Sequence, residues 1–333
     1  SGVLLALDPK LEQPYTLQWN VAFEQALGEQ QRVTASYIGA SGRRLLQTAF
    51  VTAPTASLEG ADLISNVGAS SYHALQLQFQ RRLSHGLQAL TSYTWSHSID
   101  TGSAGSTAVV SNSVIPSAID ANRASSDFDI RDAFSAALTY DIPTPALNSV
   151  LNAVSRGWSL ENILLIHSAP PVDISDVLVG EFDNDVIGDT RPDLVSGIPV
   201  YLFDRRFPGR KAFNPAAFTG PPTDPNTGLA VRQGDVPRNF LRGFGAMQWD
   251  FAVHRTIAIH EPVKLQFRAE LFNVLNHPNF GQPSGQFGLP SFGLSTQMLA
   301  QSLSSNNLSG GGLSPLYQIG GPRSVQLALK LEF

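Results

Sequence analysis

The feature that most constrains this chain is how it ends. Val325, Leu327, Leu329, Leu331 and Phe333 alternate with Gln326, Ala328, Lys330 and Glu332. A period of two puts one set on each face of an extended strand, so one face is apolar and the other polar. The same pattern recurs along the sequence. Tyr15, Leu17, Trp19, Val21 and Phe23 alternate with Thr16, Gln18, Asn20, Ala22 and Glu24. Leu75, Leu77 and Phe79 alternate with glutamines, and Ala89, Thr91, Tyr93 and Trp95 form another set. So do Phe134 to Ile142, Trp249 to Val253 and Leu265 to Leu271. Arg32–Ile38 and Trp158–Ser168 are two further strands, the second apolar in character and ambiguous in register. The total is about nine strands, each near the ~9–11 residues that cross a bilayer when tilted. Sandwich strands are shorter, at ~5–6 residues.

Composition separates a membrane strand from a soluble one. Charged residues make up 15% of the 333 residues, against ~25% in ordinary soluble domains. Yet no run approaches the ~18 apolar residues of a membrane helix. A transmembrane β-barrel reconciles the two facts, because only every second strand residue meets lipid.

The connections agree. Short ones fall at Gly28–Gln31, Leu83–Gly86, Pro143–Gly157 and Thr256–Pro262. Long ones, rich in Gly, Pro, Ser, Asn and Asp, fall at Gly39–Ser71, His97–Asp132, Pro170–Ala246 and Asn276–Pro322. Strict alternation of short and long is the topology of outer-membrane barrels, with tight periplasmic turns and large extracellular loops. Tyr15 and Trp95 fall at outer strand ends and Tyr140, Trp158 and Phe333 at inner ends, as interfacial aromatic girdles require. A soluble sandwich or propeller also alternates, but has no reason to gather its long loops at one end.

Other classes lose support. With no cysteine, disulfides, thiolate metal sites and cysteine catalysis are excluded. A net charge of −5 without a basic run argues against a nucleic-acid partner. No HExxH, GxSxG or Walker loop appears, the seven histidines are scattered, and no enzyme or cofactor is expected. The sequence begins at Ser1 with no basic-flanked signal, so a cut within a longer protein is expected.

Three groups of candidate residues remain. The inward face offers Glu24, Asp250, Lys264, Arg268, Glu270, Lys330 and Glu332, which would face a wet lumen or a plug. Lys264 and Arg268 are expected to pair with acids on neighbouring strands. The segment Glu181–Asp193 holds Asp183, Asp185, Asp189 and Asp193. Clustered carboxylates can take Ca²⁺, but the spacing is not that of an EF-hand, so a solvated acidic loop is the plainer reading. Arg191, Arg205, Arg206, Arg210 and Lys211 lie in the same connection and could meet an anionic ligand.

Several segments resemble the barrel of TonB-dependent receptors, in particular the Oar-like branch. They are PYTLQWN (Pro14–Asn20), YIGASGRRL (Tyr37–Leu45), YHALQLQFQRR (Tyr72–Arg82) and LQALTSYTWSHSID (Leu87–Asp100). SDFDIR (Ser126–Arg131), FNPAAF (Phe213–Phe218), NFLRG (Asn239–Gly243) and LQFRAELFNVLNHPNFG (Leu265–Gly281) follow in the expected order. The last is the most specific. The resemblance implies a parent with an N-terminal plug and a barrel of about twenty-two strands. This chain would be the C-terminal part of that barrel, without the plug and N-terminal domains. An odd strand count points the same way, since single-chain bacterial barrels use even numbers.

The final strand, with Val325, Leu327, Leu329, Leu331 and Phe333, resembles the signal read by the barrel-assembly machinery. A strand edge can add to another sheet through main-chain pairing. The function implied is ligand uptake across the bacterial outer membrane. The outer loops would capture a small-molecule, glycan or peptide ligand, and the TonB complex would pull the plug. A passive porin-like barrel and a surface adhesion or secretion-linked protein are the alternatives.

Overall fold

A computed structural model describes residues 3–52, 60–103, 122–143, 154–177, 181–182, 186–187, 190–226, 228, 230–260, 262–304 and 320–333. Its frame is one antiparallel meander of nine strands. They are β1 (Tyr15–Leu27), β2 (Gln31–Thr52), β3 (Gly60–Ser84), β4 (Leu87–Asp100) and β5 (Asp132–Asp141). β6 (Trp158–His167), β7 (Ala246–His260), β8 (Val263–Phe272) and β9 (Ser324–Glu332) complete it. Each strand pairs with the next in sequence. Two short pieces join the margins: Val3–Leu7 runs parallel to Gly60–Ile64, and Ala124–Ser125 pairs with Ile99–Asp100.

The register confirms that one face is apolar and one polar. Trp19, Gly39, His73 and His97 form one cross-strand row. Leu265, Phe267, Ala269 and Leu271 face Leu331, Leu329, Leu327 and Val325. The opposite face carries Glu24 against Thr34, Gln78 against Ser92, and Glu270 against Gln326. The apolar face is exposed: Val21, Phe23, Leu75, Leu77, Trp95, Leu138, Leu327 and Leu329 all stand out from the sheet. In water this would be a large sticky patch, but a wall against lipid requires it. No helix among the described residues is long and apolar enough to cross a membrane.

Short turns lie at one end. Gly28 and Gly86 both take positive φ, at 70° and 78°, which glycine reaches without a Cβ penalty. All long connections leave the other end, which in outer-membrane barrels is the extracellular one. Trp158–His167, whose register was ambiguous from sequence, pairs on both sides, with β5 and β7.

Two expectations need correction. Gly39–Ser71 is not an irregular loop: β2 and β3 continue through most of it, pairing as far as Thr52 with Gly60. With 25 residues, β3 is about 80 Å long at ~3.3 Å per residue, so this hairpin rises far beyond the bilayer. Its polar, glycine-rich composition reads as loop because even its buried positions, such as Gln47 and Ser65, are polar. The ladder shifts register around Leu45, next to Arg44 at φ 54°, as a bulge that re-aims a strand does. Thr256–Pro262 is likewise mostly strand, since β7 runs on to His260.

Candidate functional site: a packed cap on the outer rim

Above the wall, the connections between β6 and β7 and between β8 and β9 fold together. Their short strands zip in pairs: Tyr201–Phe203 with Lys211–Phe213, Asp193–Leu194 with Phe218–Thr219, and Pro171–Val172 with Leu241–Arg242. Ser175–Asp176 pairs with Gln286–Phe287, so the two connections are knitted to each other. Inside lies an apolar core of Val172, Ile174, Phe213, Ala217, Phe218, Val236, Leu241 and Phe292. Phe292 meets Phe218 edge-on at 5.6 Å and Phe287 at 5.4 Å between ring centroids, a geometry aromatic pairs favour. Asn214 fixes the FNPAAF turn: its side chain accepts from Ala216 N at 3.1 Å and donates to Pro199 O at 2.8 Å.

A charged layer bolts this core to the wall. Arg238 is 1% exposed. Its guanidinium donates to Asn122 O at 3.1 Å, Asp127 Oδ1 at 3.1 Å, Ser103 Oγ at 3.3 Å and Asp100 O at 3.0 Å. It also pairs with the Asp100 carboxylate at the end of β4. Arg242 donates to Asp129 Oδ2 at 2.6 Å and Asp129 O at 2.8 Å. Asn239 Nδ2 donates to Asp127 Oδ1 at 2.7 Å, and Asn239 N to Asp173 Oδ1 at 2.9 Å. Buried charges survive only when paired and hydrogen-bonded, and these meet that condition. On the other side, Asn279 accepts from Met247 N at 2.8 Å and donates to Met247 O at 2.9 Å, tying the last outer connection to β7.

Burial shapes the titration of the cap. Desolvation pushes the Asp173 carboxyl above its usual range, against the Asn239 N–H and the positive Arg191 and Arg238. It lowers Arg191 and Lys211 as well. Asp193 goes the other way, held down first by its hydrogen bonds to Arg232, both at 2.7 Å.

The structure sorts the residues singled out from sequence. Val325, Leu327, Leu329 and Leu331 lie on the outward face of β9, and Phe333 follows it, highly exposed. Glu24 pairs with Arg32 at 3.1 Å. Arg268 meets Glu161 at 3.0 Å across the intervening β7, and Glu270 on its own strand at 2.7 Å. Lys264 faces Glu332 in register, while Glu332 pairs with Lys330 at 2.8 Å. Asp250 accepts from Gln248 Nε2 at 3.0 Å and Asn273 N at 2.8 Å. Asp183, Asp185 and Asp189 lie outside the described residues. Among the described residues no group of three carboxylates or histidines is arranged to hold a metal. Of the basic residues considered for an anion, Arg191 is buried against Asn122 at 2.6 Å, Lys211 donates to the Arg242 and Gly243 carbonyls, and Arg206 pairs with Asp204 at 3.1 Å.

Arg238, Arg242, Asp100, Asp127, Asp129 and Asp173 were not singled out by charge or spacing. Asp127, Asp129 and Arg242 lie in the non-alternating segments SDFDIR and NFLRG, which the fold brings face to face, whereas Asp100, Asp173 and Arg238 lie outside both.

A lipid-exposed apolar wall, short turns at one end and a packed cap at the other define an outer-membrane β-barrel protein. The chain belongs to the outer membrane beta barrel domain family, whose model matches residues 1–308, and its location is the bacterial outer membrane. No curated protein matches it. Among solved structures it is similar to the outer membrane transporter YddB from Escherichia coli, at 12% identity and a TM-score of 0.46, covering 96% of this chain and 33% of that one. It is also similar to BauA, the ferric preacinetobactin receptor from Acinetobacter baumannii, at 10% identity and 0.46, covering 96% and 29%. The pyoverdine receptor FpvA from Pseudomonas aeruginosa matches at 9% and 0.46, covering 97% and 30%. The chain thus spans about a third of the length of the solved structures it matches.

Proposed function

We propose that residues 1–333 are the C-terminal part of the barrel of a TonB-dependent, Oar-like outer-membrane transporter, and that the parent protein takes up a ligand from outside the cell. The observation that carries this reading is the cap. Its outer connections are folded around a core of their own and bolted to the strand ends, as a preformed binding face needs and a bare pore does not. The sheet supports the larger barrel. β1 and β9 each pair on one side only among the described residues, and all side chains of β1 are exposed. Unpaired main-chain groups cost several kcal/mol each in hydrocarbon, so further strands would close the wall.

In this reading the cap captures the ligand. The polar face, with Glu24, Asp250, Lys264, Arg268, Glu270, Lys330 and Glu332, lines the lumen against a plug supplied by the parent. TonB pulls that plug, and β9 with Phe333 is the strand read by the barrel-assembly machinery. The test compares strains lacking the parent protein, lacking TonB, or lacking both, on a panel of defined nutrients. The transporter predicts one shared growth defect with no added loss in the double mutant. A defect confined to the protein's own deletion would make it a passive pore. No nutrient defect, with loss of surface attachment, would make it an adhesin.

A further inference from the structure

High on the polar face of the wall is a recess of about 280 Å³, and nothing above assigns it a role. β4 builds its floor. Thr94, Ser96 and Ser98 fall at every second position and so project from the same face. Tyr72 stands opposite Ser98 on β3. Ala133 stands opposite Thr94 on β5 and contributes only a methyl group. The rim is Phe128, which is 67% exposed.

The hydrogen bonds decide what the recess can take. Ser96 Oγ donates to Ile130 O at 2.7 Å, and the Ser98 and Ser126 hydroxyls share a bond of 2.8 Å. Tyr72 Oη and Thr94 Oγ1 have no partner among the described residues. Asp129, the one acid in the lining, is engaged. It accepts from Ser98 N at 2.8 Å and from Arg242 at 2.6 Å, with Arg131 at 3.6 Å. The recess therefore offers open hydroxyls and an aromatic face but no uncommitted charge. A charged chelate or a peptide terminus would have to shed water there without gaining a counter-charge, which is costly. The volume equals that of about nine waters, the scale of a single ring.

We infer that this recess is a subsite for one neutral sugar ring of a glycan, with the ring's C–H face on Phe128 and its hydroxyls bonded to Tyr72 and Thr94. The inference deepens the uptake reading by naming a substrate class. It is tested on binding alone, so the two fail separately.

The experiment is calorimetric titration of the full-length parent in detergent with maltotriose, xylotriose and chitotriose, and with a uronic-acid trimer as the charged control. At least one neutral trimer should bind with a dissociation constant of ~mM or better, the range a single small ligand reaches. The Phe128→Ala variant should weaken it about tenfold, and Tyr72→Phe and Thr94→Val about three- to fivefold each. Unchanged heat-modifiable migration in gels shows that each variant is folded. No binding by any neutral trimer, equal or tighter binding of the uronate, or affinity untouched in all three variants would overturn the inference. Sugar binding without any TonB-linked growth defect would leave the subsite standing and remove the transport reading.

Discussion

Arg238 and Asp100 lie 138 residues apart in sequence and form a buried ion pair. One belongs to the outer cap and the other is the last residue of β4 in the wall, so the pair is a bolt between the two. Its side chains are 0% and 6% exposed. Removing one member leaves the other as an uncompensated buried charge, which costs about 3–5 kcal/mol. Arg238→Met should therefore detach the cap and leave the strands in place. Limited proteolysis should cut within 170–245 at protease levels that spare the parent, while heat-modifiable migration stays intact. The double variant Arg238→Met/Asp100→Asn should be less damaged than the sum of its singles, because the orphaned charge is gone. Additive damage would mean that the two residues are not coupled.

Asp173 predicts a pH dependence. Its carboxyl is raised by burial, so the folded cap holds that proton more tightly than the unfolded chain does. The associated stability is fully present below the ordinary carboxylate range and is lost as pH rises through the raised value. Asp173→Asn keeps an oxygen for Asn239 N and removes the charge. Cap stability, followed by proteolysis against denaturant, should be higher than wild type at neutral pH and equal to it at strongly acid pH. A variant weaker than wild type at neutral pH would show that the attraction of Arg191 and Arg238 outweighs desolvation.

What could be read beforehand, and what could not, follows from where each residue's partner lies. Alternation is local and was legible: β1, Tyr15–Leu27, has the bounds its pattern suggests, and the lipid face of β9 was visible residue by residue. The upper part of the β2–β3 hairpin is not legible because its buried positions, Gln47 and Ser65 among them, are polar, which erases the period-two signal. The cap was missed for a different reason. Arg238 is indistinguishable in sequence from the solvated Arg206, and only contacts more than 100 residues away make it a core residue. Phe213, Leu241 and Phe292 are likewise one cluster in space and three scattered hydrophobes in sequence.

Gly39 and Trp19 predict a steric coupling on the lipid face. They are direct cross-strand partners, and a Cβ built on Gly39 would fall inside the indole ring of Trp19. The ring lies against the backbone there, 6.0 Å from His73, which shares a 2.8 Å hydrogen bond with Tyr37. Gly39→Ala should expel the indole, costing about 1–3 kcal/mol as overpacking does, and should shift tryptophan emission. In the Trp19→Ala background the same change should be nearly silent. An equal cost in both backgrounds would place the effect in the backbone instead.

The assignment of lipid and lumen faces can be tested with a single substitution on each side of one strand. Leu329 is 69% exposed and faces Phe267 across the pair with β8. Gln326 faces Glu270 on the opposite side of the same sheet. An arginine at Leu329 would sit in hydrocarbon, and near the bilayer midplane that costs about 2–4 kcal/mol. An arginine at Gln326 would meet water and a carboxylate, for a change within ~1 kcal/mol, since exposed pairs contribute little. Reversible unfolding of the parent protein in lipid vesicles reads both values. Leu329→Arg should lower the transition midpoint and slow assembly into the membrane, and Gln326→Arg should do neither. Because the side-chain period in a strand is two, a register slip by one residue would exchange the two results. The pair of variants therefore tests the register of β9 against β8 as well as the face that each residue presents.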